Sequence, residues 1–109
     1  DEAKDAGFVS KVVPADELLP EARRLAASIA QRSAVSVAMI RQMMYRNSAM
    51  THPAEAHKIE SLGMFYTSLK DGKEGVASFL EKRPSDFQGR VSTDMPDVYP
   101  WWDDVESSD

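Results

Sequence analysis

Apolar residues recur at steps of three and four over most of the chain, which predicts a series of amphipathic helices. The first run lies in residues 15–32, where charged and polar residues separate Leu18, Ala22, Leu25 and Ile29. Pro20 interrupts the start of this run, so we predict a short turn there and a main helix that begins near Glu21.

The second predicted helix, at about residues 34–48, has an unusually wide apolar face. Ser33 is suited to cap its N-terminus, because a serine hydroxyl can accept from the free N–H groups of the first turn. More than half of the helix circumference is apolar, formed by Val35, Val37, Met39, Ile40, Met43 and Met44. A face this wide predicts burial on two sides, one against the domain and one against a further surface.

A third helix is predicted from about residue 51, with Thr51 or His52 as its cap and Pro53 in its first turn. Proline is favourable there because the first helical N–H groups have no partner within the helix. The pair Asp71-Gly72 is expected to end this helix. Its predicted core positions are Ile59, Leu62, Tyr66 and Leu69.

The fourth predicted helix runs from about residue 73 to residue 83, and Pro84 stops it. Lys82 and Arg83 then lie in its last turn, where positive charge complements the helix dipole. Its apolar side is formed by Val76, Phe79 and Leu80.

Two segments lack the helical period. Residues 7–14, GFVSKVVP, are rich in β-branched residues and bounded by Gly and Pro, which predicts one short strand. A lone strand leaves its backbone groups unpaired, so it needs a sheet that the sequence does not otherwise contain. Residues 85–109 are predicted to be an extended tail, and we expect Trp101 and Trp102 to dock it, since paired aromatic residues rarely stay fully solvated.

Composition narrows the classes of function. The 109 residues are 42% hydrophobic and 28% charged, as in a soluble globular domain. A net charge of -5 with scattered Lys and Arg argues against a nucleic-acid partner, and no apolar run approaches the roughly 20 residues of a membrane span. The absence of cysteine excludes disulfides and thiolate metal sites and fits a cytoplasmic protein. Because the first residue is not Met, we expect the chain to belong to a longer protein.

Most motifs that carry catalytic or metal chemistry are absent from the sequence. His52 and His57 are five residues apart, about 140° apart on a helix, whereas zinc proteases need a spacing of four. We therefore expect no metal site. The sequence also lacks a P-loop, a dinucleotide-binding fingerprint and a nucleophile elbow.

The remaining candidate is the pair Phe79 and Lys82, which share one side of the fourth predicted helix. An aromatic ring offers a stacking face to a nucleotide base, and an ammonium group offers a point charge to a phosphate. The alternative is a core phenylalanine followed by a lysine that complements the helix end. The spacing alone leaves both interpretations open.

The order of segments resembles the C-terminal part of the crotonase family, which includes enoyl-CoA hydratases and isomerases. The resemblance extends from about residue 1 to Phe87, and EGVASFLEKR is its most specific piece. The matching segments are DAGFVSKVVPADELLPEARRLA, SAVSVAMIRQ and KDGKEGVASFLEKRPSDF. The resemblance implies a mainly α fold, with the last strand of a spiral core in residues 1–14, a helical oligomerisation and CoA-covering domain in residues 15–84, and the tail in residues 85–109.

For function, the resemblance implies an enzyme that acts on acyl-CoA thioesters and stabilises an enolate with two acidic residues and an oxyanion hole. No residue of this chain matches those catalytic motifs, so we assign none and expect the chain alone to be inactive. Phe79 and Lys82 match the family positions that contact the adenine and the 3'-phosphate of CoA. Met64 and Phe65 lie where the third helix could close over an acyl chain. No cofactor is implied, because CoA arrives with the substrate.

The resemblance also implies a homo-oligomer, either a trimer or a dimer of trimers. Two other readings stay open: a non-catalytic helical oligomerisation or binding module, which the wide apolar face of the second helix favours, and an acyl-CoA carrier bundle. The sequence departs from the family in its VYPWWDD tail, beyond the usual end near Phe87. The type of reaction and the acyl-chain length stay open, since both depend on residues outside the resemblance.

Overall fold

The computed structural model describes residues 1–102, and every regular element in this part of the chain is helical. The predicted mainly α fold is confirmed. The α-helices are α1 (Glu2–Asp5), α2 (Leu18–Ala30), α3 (Ala34–Arg46), α4 (Pro53–Leu69) and α5 (Asp71–Glu81), with short 3₁₀ helices at Ala15–Glu17 and Asn47–Ala49.

The strand predicted for residues 7–14 is wrong. Gly7, with a φ of +78°, follows the single turn of α1, and the backbone then runs without strand pairing to the 3₁₀ helix. Phe8 is 86% exposed and Val12 is 51% exposed, so the β-branched pattern has nothing to pack against. A strand needs a neighbour for its N–H and C=O groups, and none of residues 1–102 supplies one.

The predicted helix starts are mostly confirmed. The Ser33 hydroxyl caps α3 by accepting from the Ser36 N–H at 3.2 Å, and His52 Nδ1 caps α4 by accepting from the Ala54 N–H at 3.1 Å. Helix α2 starts three residues earlier than predicted, at Leu18, because Pro20 fits within its first turn, where no intrahelical donor is needed.

The boundaries of α5 differ from the prediction at both ends. Lys70, with φ −118° and ψ −106°, interrupts the helical conformation between α4 and α5. Asp71 and Gly72 therefore lie at the start of α5 and do not separate two helices. At the other end the helix stops at Glu81. Lys82 adopts a left-handed conformation with φ 57°, and Arg83 consequently lies outside the helix.

The small core lies where α3 crosses α4. Val35 and Met39 of α3 are the hydrophobic side chains that are buried in the described part of the chain. Gly63 of α4 is buried at the same crossing, where an added Cβ would lie 2.7 Å from Met43 Cε and 3.2 Å from Met39 Cε. A side chain at Gly63 would therefore push aside the ends of these two methionine side chains.

The apolar face of α3 is divided between this core and solvent. Met39 is 2% exposed, whereas Met44 is 74% exposed and Ile40 is 55% exposed. The wide face that predicted burial on two sides thus has one covered and one uncovered side. Within residues 1–102, no helix is long and apolar enough to cross a membrane.

The tail returns along the helices. The Gly89 N–H donates to Asp71 Oδ1 at 3.2 Å, and Lys70 Nζ lies 3.6 Å from Asp94 Oδ1. The Arg46 guanidinium stacks 3.8 Å from the centre of the Trp102 ring, so the predicted docking is confirmed for Trp102, while Trp101 packs on Trp102 and Tyr99 within the tail. The tail prediction also covered residues 103–109, which lie outside the described residues.

Candidate functional site

Phe79 and Lys82 lie together on the surface at the end of α5. Lys82 Nζ lies 4.5 Å from the centre of the Phe79 ring, within the range of a cation–π contact. The Phe79 side chain is nevertheless 70% exposed, so it is not the core residue that its place on the apolar stripe suggested. An exposed ring beside an ammonium group presents both stacking area and positive charge to a ligand.

The position of Lys82 follows from how α5 ends. The Arg83 N–H donates to the Ser78 carbonyl at 3.1 Å, and the Lys82 N–H donates to the Phe79 carbonyl at 3.4 Å, which closes the last turn. Such helix ends place one residue in the left-handed region, usually Gly, and here it is Lys82. The turn directs the chain back across the helix.

Arg83, predicted to complement the helix dipole from the last turn, is instead paired with two carboxylates. Glu74 accepts from both terminal nitrogens of the Arg83 guanidinium, at 2.5 and 2.9 Å, and Glu81 accepts from Nε at 2.6 Å. Glu74 also accepts from the Asp86 N–H at 2.8 Å. The Arg83 hydrogen bonds, with that N–H, lower the pKa of Glu74 to about 2, and the same pairing raises the pKa of Arg83.

A polar cleft of about 530 Å³ lies next to the Phe79 ring. Three of its serine hydroxyl groups are engaged: Ser33 donates to Asp71 Oδ2 at 2.6 Å, and Ser78 shares a 2.7 Å hydrogen bond with Ser85. Arg32 also lines the cleft and forms no salt bridge with the residues that the structure describes. The cleft therefore adds polar surface and a second basic side chain beside Phe79.

Met64 and Phe65, the predicted acyl-pocket residues, lie on α4 away from this cleft. Met64 is 73% exposed and lines a separate groove of about 250 Å³ between α3 and α4, with Met39, Ile40 and Met43. Phe65 packs edge-on against Tyr66, with ring centres 5.5 Å apart. Met64 thus borders an apolar groove that Phe65 does not line, and the assignment of the two residues to an acyl chain stays a prediction.

The two histidines were not expected to bind a metal. His52 Nδ1 is used as the cap of α4, and no cluster of three His, Asp or Glu side chains in the described residues has the geometry of a metal site.

The contacts of Glu74 were missed in the sequence. No role was predicted for Glu74, and Arg83 was placed inside the predicted helix. The two meet because the chain reverses at Lys82, and a left-handed residue other than Gly has no clear sequence signal. Pro84, two residues after the turn, is the remaining hint, since proline is common just beyond such helix ends.

The chain is similar to known proteins over most of its length. The profile of the family described as enoyl-CoA hydratase/isomerase matches residues 1–90. A protein of Mycobacterium bovis named "Probable enoyl-CoA hydratase" is 37% identical over 91 residues, covering 82% of this chain and 35% of its own length. The mitochondrial enoyl-CoA hydratase of Pongo abelii is 38% identical over 89 residues, covering 80% of this chain and 30% of its own length.

A solved structure assigned to the enoyl-CoA hydratases/isomerases, from Mycobacterium abscessus, has the same fold over the matched region. It superimposes with a TM-score of 0.72 at 34% identity and covers 82% of this chain and 37% of its own. The chain thus spans about a third of the length of the relatives it matches. The family match over residues 1–90 and the shared fold show that the chain belongs to the enoyl-CoA hydratase/isomerase family, the crotonases.

Proposed function

We propose that this chain is the CoA-contacting and self-associating part of an enzyme that acts on acyl-CoA thioesters through an enolate. Family membership and the names of the relatives support an enzyme of the hydratase kind. The observation that carries the CoA contact is the exposed Phe79 ring with Lys82 Nζ 4.5 Å from its centre. We call this pair the Phe79–Lys82 clamp.

The two members of the clamp suit different parts of CoA. Phe79 is 70% exposed even with Lys82 beside it, which leaves ring surface on which adenine can stack. Lys82 forms no salt bridge within residues 1–102, so its charge is available to the 3'-phosphate. Arg83 does not compete for this role, because Glu74 and Glu81 already neutralise it.

Lys82→Ala tests the clamp. We expect it to weaken binding of CoA to the purified chain about three- to ten-fold while leaving 3'-dephospho-CoA nearly unaffected. A charge-assisted contact contributes about 1.5–3 kcal/mol when fully formed and less at an exposed site. Isothermal titration calorimetry with both nucleotides measures the difference.

The matched controls lie on the same helix. Lys73→Ala removes the same charge from the first turn of α5, and Leu80→Ala removes an apolar side chain that is as exposed as Phe79. Phe79→Ala should weaken CoA and 3'-dephospho-CoA equally, because both carry adenine. Equal losses of the two nucleotides in Lys82→Ala would show that Lys82 does not bind the 3'-phosphate.

We further propose that catalysis needs residues outside this chain. No acidic pair or oxyanion hole was assigned in the sequence. The carboxylates with a lowered pKa are engaged in surface contacts: Glu21 with Lys11 and Arg24, Glu74 with Arg83, and Asp94 with the Arg90 N–H, Thr93 and Lys70. The purified chain should therefore not hydrate an enoyl-CoA. Turnover that follows the chain through purification would overturn this part of the proposal.

The second proposed role, self-association, has its own observation. The outer side of α3 presents a shallow apolar hollow of about 490 Å³, lined by Val37, Ile40, Arg41, Met44 and Tyr45. The Arg41 guanidinium lies over the Tyr45 ring, 5.1 Å from its centre, and contributes one positive charge to this largely apolar hollow. A contiguous apolar surface of this kind is typical of an interface, and we propose that a second copy covers it in a trimer or a dimer of trimers.

A further inference from the structure

We infer that Glu74 is a positioning residue for the Phe79–Lys82 clamp, holding the turn that places Lys82 beside Phe79. The inference rests on the proposed CoA contact for its functional meaning, although the positioning itself is a property of the chain alone. Glu74 lies two turns before Lys82 along α5 and is not itself a member of the clamp.

Glu74 fixes the chain after the turn at two points. Its carboxylate accepts from the Arg83 guanidinium at 2.5 and 2.9 Å and from the Asp86 N–H at 2.8 Å. These partners follow Lys82 by one and four residues, so one side chain ties both to the body of α5. The segment that leaves the helix is therefore held back against it.

This restraint matters because Lys82 is in an unfavourable conformation. At φ 57° and ψ 35°, a residue with a Cβ is crowded against its own backbone, and such residues persist when the surrounding structure holds them. Without Glu74, Arg83 would lose two hydrogen bonds and the Asp86 N–H would lose its partner. The turn at Lys82 would then keep mainly its backbone hydrogen bonds and the Ser78–Ser85 hydrogen bond, and we expect it to relax to a more common conformation, which would move Nζ away from the Phe79 ring.

Simple electrostatics predicts the opposite effect on ligand binding. Removal of a carboxylate near a phosphate site lowers the local negative charge, so Glu74→Ala would strengthen CoA binding if charge alone mattered. Positioning predicts weaker binding and a loss of the preference for CoA over 3'-dephospho-CoA. The sign of the change therefore distinguishes the two explanations.

The experiment compares the full wild-type chain with Glu74→Ala, Glu74→Gln and Glu81→Ala. Glu81→Ala is the matched control, since Glu81 also pairs with Arg83 but has no bond to the Asp86 N–H. For each chain, calorimetry gives the Kd ratio of 3'-dephospho-CoA to CoA. NMR without ligand gives the upfield shift that the Phe79 ring current imposes on the Lys82 ε-protons.

We expect Glu74→Ala to reduce the Kd ratio to about the value in Lys82→Ala, a loss of roughly three- to ten-fold, and to abolish the upfield shift. Glu74→Gln keeps an acceptor oxygen and should fall between the wild type and Glu74→Ala. The double variant Glu74→Ala/Lys82→Ala should be no worse than Lys82→Ala, because both changes remove the same contact.

The outcomes separate this inference from the proposed function. If Glu74→Ala keeps both the wild-type Kd ratio and the ring-current shift, positioning by Glu74 is overturned and the CoA contact stands. If the wild type shows no preference for CoA but the shift is lost in Glu74→Ala, the CoA contact fails and the positioning is supported. Should Glu74→Ala be unfolded by circular dichroism, the shift in Glu74→Gln decides instead, and a wild-type value there overturns the inference.

Discussion

Two glutamates, Glu74 and Glu21, hold basic groups at the surface and have the largest pKa changes of any acid in the described residues. Each has its pKa lowered from 4.5 to about 2. For Glu21 the causes are its hydrogen bonds with Arg24, at 2.7 and 2.9 Å, and with Lys11 at 3.0 Å. Because the folded chain favours the charged form of both acids, both link its stability to pH.

Acid should therefore weaken the chain through these two residues. Their stabilising contribution is fully present above about pH 4.5 and is lost as the pH falls from 4.5 towards 2, because the lowered pKa belongs to the folded state. We expect Glu74→Gln to be less stable than the wild type at pH 7 and the difference to shrink steadily below pH 4.5. Urea denaturation at several pH values measures it.

Glu60→Gln is the control for this titration. Glu60 lies in the middle of α4, away from helix-end effects, and its hydrogen bond is a long one to Asn47 Nδ2 at 3.5 Å. Both variants replace one carboxylate by an amide, but only Glu74→Gln removes an ion pair with Arg83. A stability difference for Glu74→Gln that is flat between pH 7 and pH 2 would contradict the ion-pair explanation.

Among the helices, the start of α3 is linked to the start of α5 and to the tail. The Ser33 hydroxyl accepts from the Ser36 N–H and donates to Asp71 Oδ2, while Asp71 Oδ1 accepts from the Gly89 N–H. Ser33 is 6% exposed, so its hydroxyl has little access to water that could replace these partners. One hydroxyl group thus serves as a helix cap and as a link between helices.

Ser33→Ala should destabilise the chain by about 1–2 kcal/mol, at the upper end for a cap, because Asp71 also loses a donor. In a double-mutant cycle with Asp71→Asn, the two changes should be less than additive. Chemical denaturation of the four chains measures the coupling. Ser28→Ala is the comparison, since the Ser28 hydroxyl donates to the Leu25 carbonyl within a single helix, and full additivity of Ser33 and Asp71 would contradict the link.

The helix starts were predictable because they depend on neighbouring residues. Ser33 and His52 cap the helices that follow them, and Pro53 opens α4 as its chemistry requires. The end of α5 was not predictable in this way, since Lys82 takes a conformation that is usually left to glycine. The strand prediction for residues 7–14 was wrong for a different reason. Its β-branched residues favour an extended backbone, but a strand also needs a neighbouring strand, and the described residues offer none.

In the candidate site too, the local contact was predictable from the sequence and the longer-range contacts were not. The spacing of Phe79 and Lys82 correctly placed them side by side, although the helix ends at Glu81 and Lys82 reaches the ring from the turn. The contact of Glu74 with Arg83 and Asp86 could not be read from helical spacing, because it depends on a chain reversal. Pattern analysis found the local pair and missed the longer-range contacts around it.

At the scale of the whole molecule, the helices bury little apolar surface between them. The radius of gyration is 17.4 Å, whereas a compact domain of this length has about 13 Å. The apolar side of α2 is turned outward, with Leu18 63% and Leu25 51% exposed, and the outer side of α3 is also uncovered. These surfaces are more extensive than a stable monomer usually shows.

Met44→Ser should reduce self-association of the chain. Met44 is 74% exposed within the apolar hollow on α3, and loss of its buried area should cost an interface about 1.5–3 kcal/mol. Sedimentation velocity or native mass spectrometry over a range of concentrations measures the assembled fraction. Met64→Ser removes a nearly equally exposed methionine from α4 and should have less effect. A wild-type chain that is monomeric at all concentrations would contradict the proposal.

The small core has a thermodynamic consequence. Val35 and Met39 are the hydrophobic side chains buried in the described residues, and the heat capacity change of unfolding follows the apolar surface that unfolding exposes. An ordinary domain of this length would give about 1.3–1.6 kcal/mol/K, and the isolated chain should give clearly less, with a shallow dependence of stability on temperature. Association should in turn have a negative heat capacity change, because a partner that covers the outer faces of α2 and α3 buries apolar surface. Calorimetry of association would then measure the burial that is absent from the heat capacity change of unfolding.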